Sequence, residues 1–175
     1  AVEPQSKIFK KLQDKYKNTK KINLFKCAIS NKNGKKNLKI NIKSSTSSFS
    51  NYNKDSKWRK LKEFLLNGFG KSSFINLEKV NTITLDKFCK KNKISKIDLL
   101  KIDTEGHERE VLEGGKKVLK NKTEYVLIEF HLSKIYQNYN FQKIDKILKN
   151  KKFKLIKKFK FPFLAFEDRI YKKIN

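Results

Sequence analysis

The chain has 175 residues, 37% of them hydrophobic, which is enough for one domain with a buried core. No apolar run approaches the length of a transmembrane helix, so we expect no transmembrane segment in these residues. Cys27 and Cys89 lie far apart and form no metal-binding or redox motif, so we expect a reduced, cytoplasmic protein.

The formal net charge of +27 has two interpretations. It is compatible with binding to nucleic acid, to an anionic membrane surface or to a polyanionic substrate. Alternatively, the joint excess of Lys, Asn and Ile reflects a coding bias that places Lys on solvated surface. The lysines are spread from Lys7 to Lys173, and Arg, the usual reader of nucleic acid, occurs only three times. We favour the second interpretation and disfavour a nucleic-acid partner.

The first half of the chain alternates strands with a helix. Residues 1–3 resemble the end of a strand, and Pro4 then favours a helix start. Apolar residues at helical spacing predict a helix over 5–17, and apolar runs predict strands over 22–29 and 38–42. The Ser- and Asn-rich segment 43–57 is either an active-site cover or a disordered surface insertion.

The second half continues the alternation after an ambiguous stretch at residues 58–70. The pattern predicts a strand over 80–85, a short helix over 86–91, a strand over 97–102 and an amphipathic helix over 107–120.

The last third of the chain contains one more strand and helix before a closing hairpin. A strand is predicted over 124–130, a helix around 144–148, and a hairpin from 153–159 and 164–171. Strands that alternate with helices indicate a mostly parallel α/β sheet with helices on both faces. We find no internal repeat or linker, so residues 1–175 are predicted to form a single domain.

Polar side chains follow three of the predicted strands. Glu3 ends the first, Asp103 and Glu105 follow the central one, and Glu129 and His131 end a later one. Because ligands bind at the carboxyl ends of parallel strands, we expect these residues to share a pocket.

The residues after the central strand suggest acid–base chemistry. Acids before a helix also stabilise it through the helix dipole, by about 0.3–1 kcal/mol. However, Glu105, Glu108 and Glu110 crowd one turn, and a functional site explains this better than capping. Carboxylates beside His107 offer a general base and a group to orient it.

These residues resemble the FkbM family of S-adenosylmethionine-dependent methyltransferases. The resemblance is carried by Leu99-Leu-Lys-Ile-Asp-Thr-Glu-Gly-His-Glu108, by Thr82-Ile-Thr-Leu-Asp86 before it and by Val111-Leu-Glu-Gly114 and Ile128-Glu129 after it. Weaker similarities occur at Ala1-Val-Glu-Pro4 and Cys27-Ala-Ile-Ser30.

The resemblance implies a Rossmann-like class I methyltransferase fold with a C-terminal antiparallel hairpin, S-adenosylmethionine as cofactor and a hydroxyl of a sugar or other small metabolite as acceptor. It implies three groups of site residues: cofactor-binding Glu3 (ribose), Ala28 and Ile29 (adenine) and Asp103 (methionine end); catalytic Asp103, Glu105, His107 and Glu108; and acceptor-lining Glu129 and His131. It assigns no metal ligand, and the need for a metal and the oligomeric state stay open.

Two other functions are compatible with the sequence. A basic nucleic-acid-binding module would explain the charge and would bind with a steep salt dependence. A catalytically inactive interaction domain would keep the fold without using the acids. A basic surface on a methyltransferase would also favour an anionic acceptor, such as a nucleotide-sugar or a lipid-linked saccharide.

The resemblance predicts weak cofactor binding by residues 1–175 alone. In the family, a first strand and a glycine-rich turn precede the segment that Ala1 begins, and none of the six glycines supplies that turn. We therefore expect an N-terminally truncated domain that binds S-adenosylmethionine poorly or not at all. Isothermal titration calorimetry checks this expectation, and micromolar binding by the 175-residue chain would contradict it.

Overall fold

A computed structural model describes residues 1–41, 47–53, 55–56, 74–132, 135–137, 139–160 and 166–174. The helices in these ranges are α1 Ser6–Tyr16, α2 Leu85–Lys91, α3 Glu108–Glu113, α4 Lys116–Asn121 and α5 Phe141–Asn150. The strands are β1 Ala28–Ile29, β2 Gly34–Asn41, β3 Phe74–Ile83, β4 Ile97–Ile102, β5 Thr123–His131, β6 Phe153–Lys160 and β7 Phe166–Lys173.

The strands form two mixed sheets. In the first, with strand order β1-β3-β2, β3 pairs parallel with β1 and antiparallel with β2. In the second, with order β4-β5-β7-β6, β4 and β5 are parallel, whereas β7 pairs antiparallel with both β5 and β6. A parallel bridge between Val2 and Phe25 lies outside the named strands.

The α/β class predicted from the sequence is confirmed, but the sheet differs from the mostly parallel one that was expected. Antiparallel pairing joins β2 to β3, because the turn before β2 reverses the chain at Gly34, where φ is +145°. The predicted strand over 22–29 is reduced to β1, and the ambiguous stretch 58–70 lies outside the described residues.

The helix predicted over 107–120 is divided into α3 and α4 at Gly114 and Gly115. Glycine is a poor helix former, so two in succession favour a break. The side chain of Asp86 then accepts hydrogen bonds from the backbone N–H groups of Lys117 and Val118 and satisfies the first turn of α4. This interaction also ties α2 to α4.

Three hydrophobic clusters form the core. The first lies around the second sheet, and its buried members are Ile102, Val111, Leu112, Leu119, Val126, Ile128, Phe130, Ile144, Leu148, Phe153 and Tyr171. The second is centred on α2 and the third on the first sheet. Among the described residues, no helix combines the length and apolar character that crossing a membrane requires.

We predict that Gly114→Ala destabilises the protein. A methyl group at this position would collide with the backbone carbonyl of Ser30, which cannot move as a flexible side chain could. Overpacking of this kind costs about 1–3 kcal/mol. Urea denaturation measures the loss, with the exposed Lys116→Ala as the control. Equal stability of the two variants would contradict the close approach of α3 to the end of β1.

Candidate active site

A tight turn at residues 103–107 connects β4 to α3, and the side chain of Glu108 holds it in shape. Oε1 of Glu108 accepts hydrogen bonds from the Thr104 N–H at 3.0 Å, the Thr104 hydroxyl at 3.0 Å and the Gly106 N–H at 3.1 Å. Glu108 is fully buried and begins α3. A buried carboxylate therefore fixes the turn that carries most of the predicted catalytic residues.

The backbone of this turn is left-handed at two consecutive residues. Glu105 has a φ of +50° and Gly106 a φ of +92°. Glycine adopts this region without steric cost, whereas glutamate does so rarely. A Cβ at position 106 would lie 2.7 Å from the ring of Tyr136, so both the backbone conformation and the available space require glycine there.

Burial raises the pKa of Glu108 to about 7, although the hydrogen bonds from the backbone and from Thr104 act in the opposite direction. The carboxyl group therefore exchanges its proton near neutral pH. Because its Oε1 accepts the hydrogen bonds from Thr104 and Gly106, Glu108 also holds the turn in its conformation.

Two serines of the Ser- and Asn-rich segment bind the same turn. The Ser48 hydroxyl donates to the carbonyl of Glu105 at 2.5 Å, and the Ser50 hydroxyl donates to the carbonyl of Gly106 at 2.7 Å. The described part of segment 43–57 thus lies against the predicted site, which favours its interpretation as a cover. Its other residues lie outside the described ranges.

Tyr136 supports the turn from another side. Its hydroxyl donates a hydrogen bond to Oε2 of Glu105, and its ring stacks on Tyr52 with 5.3 Å between centroids. The Asn41 amide in turn donates to the Tyr52 hydroxyl at 2.7 Å. Burial, followed by the charge of Glu105, raises the pKa of Tyr136, so its hydroxyl keeps its proton and remains a donor.

Glu129, near the end of β5, faces this turn. Its Oε2 lies 3.3 Å from Nε2 of His131, the next residue on the same face of β5, and His131 is buried against the rings of Tyr136 and Tyr139. Burial raises the pKa of Glu129 to about 8, and four neighbouring carboxylates add to the effect: Asp103, Glu105, Glu108 and Asp168.

We define the acidic cluster as Asp103, Glu105, Glu108, Glu129, His131 and Asp168. The structure therefore brings together five of the predicted site residues from the ends of two adjacent parallel strands. The cluster concentrates negative charge in a chain whose net charge is +27. Lys101 lies 3.1 Å from Asp103, but both side chains are about half exposed and the pair contributes little. Carboxylates gathered in this way suit a cationic ligand.

His107 occupies a different environment from the acidic cluster. Its Nε2 lies 3.0 Å from the Ser30 hydroxyl, its Nδ1 lies 3.5 Å from Glu110, and its ring packs against Phe49. Burial, followed by the charge of Lys36, lowers the pKa of His107 to about 3, and the partly exposed Glu110 does not offset this. His107 is therefore neutral at physiological pH. Through its contact with Ser30, His107 links the start of α3 to the residue that follows β1.

Glu3 lies in separate surroundings. Its Oε1 accepts a hydrogen bond from the Gln5 N–H at 2.7 Å. Burial raises the pKa of Glu3, the hydrogen bond from Gln5 opposes this change, and the charge of Glu78 adds to it. Glu78 also accepts from the Ser6 N–H, so both acids lie beside the start of α1. Among the residues that the structure describes, the contacts of Glu3 do not join it to the acidic cluster, and its cofactor-binding role stays a prediction.

Ala28 and Ile29 form β1, and both contribute to the core. Ala28 is buried in the third hydrophobic cluster, whereas Ile29 packs against the other two. Ser30 follows them and contacts His107, so the carboxyl end of β1 meets the turn after β4. These two strand ends are therefore adjacent, and the adenine-binding role of Ala28 and Ile29 stays a prediction.

Sequence reasoning missed several residues of the site. Asp168 pairs across the strands with Glu129, and a signal for it exists, because Glu167 and Asp168 are the only acids in a basic C-terminal hairpin. Tyr136 and Tyr139 had no comparable signal, since the packing of their rings against His131 forms only in the folded chain.

Two surface cavities lie away from the acidic cluster. One of about 610 Å³ runs along α1, and another of about 650 Å³ lies beside Leu112, Glu113 and Ile147. No member of the acidic cluster lines either of them. The chemistry of the side chains, and not the size of a cavity, therefore identifies the candidate site.

Comparison with known proteins connects this geometry to a family. The sequence profile described as the methyltransferase FkbM domain matches residues 1–155, most of the chain. The matched range includes every member of the acidic cluster except Asp168. No curated protein and no solved structure matches the sequence.

We predict that His107 makes folding sensitive to acid. Its pKa is about 3 in the folded chain and 6.5 when unperturbed, so the unfolded state binds its proton first. The stability from the neutral imidazole is complete above pH 6.5 and decreases as the pH falls towards 3. Between pH 7 and pH 5 this amounts to about 2 kcal/mol.

Denaturation of the wild type and His107→Gln at both pH values tests this prediction. The variant should lose about 2 kcal/mol less over that interval. The difference between the two proteins cancels the titration of the other groups. Parallel stability curves would show that His107 is not buried in its neutral form.

Proposed function

We propose that this chain, which belongs to the FkbM methyltransferase domain family, transfers a methyl group from S-adenosylmethionine to a hydroxyl of a sugar or another small metabolite. The observation that carries the proposal is the acidic cluster at the adjacent ends of β4 and β5. A site of carboxylates suits a cofactor with a positively charged sulfonium and ammonium group.

The arrangement of the strands also supports a Rossmann-like domain. β4 and β5 are parallel, and their carboxyl ends carry Asp103 and Glu129. In open parallel sheets, ligands bind outside this edge. We assign Asp103 to the methionine end of the cofactor. Glu3, Ala28 and Ile29 keep the ribose and adenine roles that the family resemblance implies.

When bound, S-adenosylmethionine supplies an activated methyl group on sulfur. The residues of the chain then have two tasks, which are to align the acceptor hydroxyl and to take up its proton. Glu129 suits the second task because its pKa of about 8 makes its ionised form a stronger base than an ordinary carboxylate. A cationic ligand beside it would favour that ionised form.

The other residues of the site have positioning roles in this proposal. His131 lies 3.3 Å from the Glu129 carboxylate and orients it, while Glu105 borders the acceptor. Glu108 fixes the turn through Thr104 and Gly106. The contacts of Glu108 and the neutral state of His107 favour support of the site over direct proton transfer.

Methyl transfer from radiolabelled S-adenosylmethionine to a panel of neutral and anionic saccharides tests the function. The assay uses the protein translated from the complete reading frame that contains residues 1–175. We expect Glu129→Gln to lower the transfer rate about 100-fold or more, because a general base contributes that much. Cofactor affinity, measured by calorimetry, should change little.

Glu124→Gln is the matched control, because Glu124 lies at the other end of β5 and pairs with the exposed Lys96 at 3.3 Å. It should retain the wild-type rate. A protein that binds the cofactor but transfers no methyl group to any hydroxyl would support an inactive interaction domain. Equal rates for Glu129→Gln and the wild type would remove Glu129 from the mechanism.

A further inference from the structure

One face of the second sheet carries apolar side chains that no described helix covers. Successive residues of a strand point to opposite faces, and Val126, Ile128 and Phe130 of β5 point into the first hydrophobic cluster. The residues between them point the other way, and within the described ranges the apolar ones belong to none of the three clusters. We define the open face as Leu99 and Lys101 of β4, Tyr125, Leu127 and Glu129 of β5, Lys154, Lys157 and Phe159 of β6, and Asp168, Ile170 and Lys172 of β7.

Strand pairing arranges the open face in three rows across the sheet. Two ring contacts show that neighbours in these rows share one face. Nζ of Lys172 lies 5.8 Å from the centroid of the Tyr125 ring, and Nζ of Lys157 lies 4.9 Å from that of Phe159. The first row is Leu99, Tyr125, Lys172 and Lys154, the second is Lys101, Leu127, Ile170 and Lys157, and the third is Glu129, Asp168 and Phe159.

The composition of the open face differs from that of a solvated sheet face. A sheet with one face in water usually carries apolar residues inside and polar residues outside. Here Leu127 and Ile170 occupy the centre of the outer face. Leu99 and Phe159, on the two outer strands, are 54% and 40% exposed. Because contiguous apolar side chains on a surface mark an interaction site, we expect the open face to bind a partner.

Lysines surround the apolar centre of the open face. Lys101 lies on one outer strand, β4, and Lys154 and Lys157 lie on the other, β6, where all three are exposed. The lysines of the face outnumber its two carboxylates, and the whole chain carries a charge of +27. An extended anionic surface also attracts the lysines beside the face, which a single acidic segment would not reach. We propose that the open face docks on an anionic lipid membrane.

The two kinds of side chain have different tasks in this docking. The apolar side chains enter the headgroup region of the bilayer, where burial of apolar area stabilises the bound state. The lysines keep their ammonium groups at the level of the lipid phosphates, with their alkyl stems against the apolar residues. This division matches the open face, because its lysines lie around Leu127 and Ile170 and not between them.

The open face ends at the candidate active site. Glu129 and Asp168 form its last row, beside Asp103 at the end of β4. If the proposed methyl transfer is correct, docking presents Glu129 to a hydroxyl that a membrane lipid carries, and the acceptor is a lipid-linked saccharide. This consequence rests on the proposed function. Membrane docking does not, because it depends on the open face alone.

Sedimentation with vesicles measures docking without any cofactor. The protein translated from the complete reading frame that contains residues 1–175 is mixed with vesicles of phosphatidylcholine, with or without an equal amount of phosphatidylglycerol. We expect binding to the anionic vesicles only. Leu99→Asp and Phe159→Asp should each weaken it about tenfold or more, because an apolar contact is lost and a carboxylate replaces it. Lys157→Gln should weaken it about fivefold.

Leu77→Asp is the matched control, because Leu77 is 55% exposed and lies on β3 of the first sheet. It changes the net charge as Leu99→Asp does, and it should bind the anionic vesicles almost as the wild type does. Circular dichroism confirms that each variant is folded. Equal losses in the two variants would indicate a general attraction by the lysines and overturn the proposal. Absence of binding to the anionic vesicles would also overturn it.

Two other occupants of the open face give different results, and either result would overturn membrane docking. A dimer in analytical ultracentrifugation that Leu99→Asp dissociates would assign the face to a second copy of the chain. An oligonucleotide that binds the wild type and Leu77→Asp but not Leu99→Asp would assign it to nucleic acid.

The two proposals fail separately. Methyl transfer by a protein that does not bind anionic vesicles would overturn the docking and leave the function intact. Vesicle binding that Leu99→Asp weakens and Leu77→Asp does not, in a protein that transfers no methyl group, would support the docking and overturn the function.

Discussion

The candidate site depends on the hydrogen bonds that Glu108 makes to the turn before its own helix. A turn with two consecutive left-handed residues, one of them glutamate, is strained unless its surroundings hold it. Oε1 of Glu108 does this by accepting from Thr104 and Gly106 at once. The conformation places Glu105 where Tyr136 donates to it and where Glu129 faces it. Without this anchor, the geometry of the acids would not be defined.

Local and global charge have opposite signs in this protein. The lysines are distributed along the chain, whereas the acids of the cluster come together only when β4, β5 and β7 pair. Glu129 and Asp168 face each other across two strands, an arrangement that is unfavourable for like charges. Burial increases the cost by removing water. A site that attracts a cation is the simplest physical reason for keeping such an arrangement.

The sequence predicted local structure well where periodicity and chain breaks agree. The bounds of β4 match, and α1, α2 and α5 are present at the predicted places. The helix over 107–120 was predicted as continuous because its apolar residues keep helical spacing across Gly114 and Gly115. Two successive glycines favour a break, and the close approach of Ser30 and Leu85, which leaves no room for a side chain at either glycine, comes from distant parts of the chain.

The same distinction applies to the candidate site. The end of β4 could be identified because its acids interrupt an apolar strand. Asp168 depended on strand pairing, and Tyr136 on a tertiary hydrogen bond to Glu105, so neither follows from spacing alone. Glu3 is different, because its hydrogen bond from the Gln5 N–H and the nearby charge of Glu78 do not connect it to the acidic cluster within the described residues, and its place in the shared pocket stays a prediction.

The two sheets meet at the site through buried polar contacts. Ser30, which follows β1, lies 3.0 Å from His107 at the start of α3, while Ser48 donates to Glu105 in the same turn. A hydrophobic contact would tolerate sliding of one sheet against the other. A hydrogen bond is directional, so it fixes the position of one sheet relative to the other. Because His107 is neutral, this link adds no positive charge beside the acids. The turn is therefore positioned from both sheets while its negative potential is preserved, which is what binding a cation requires.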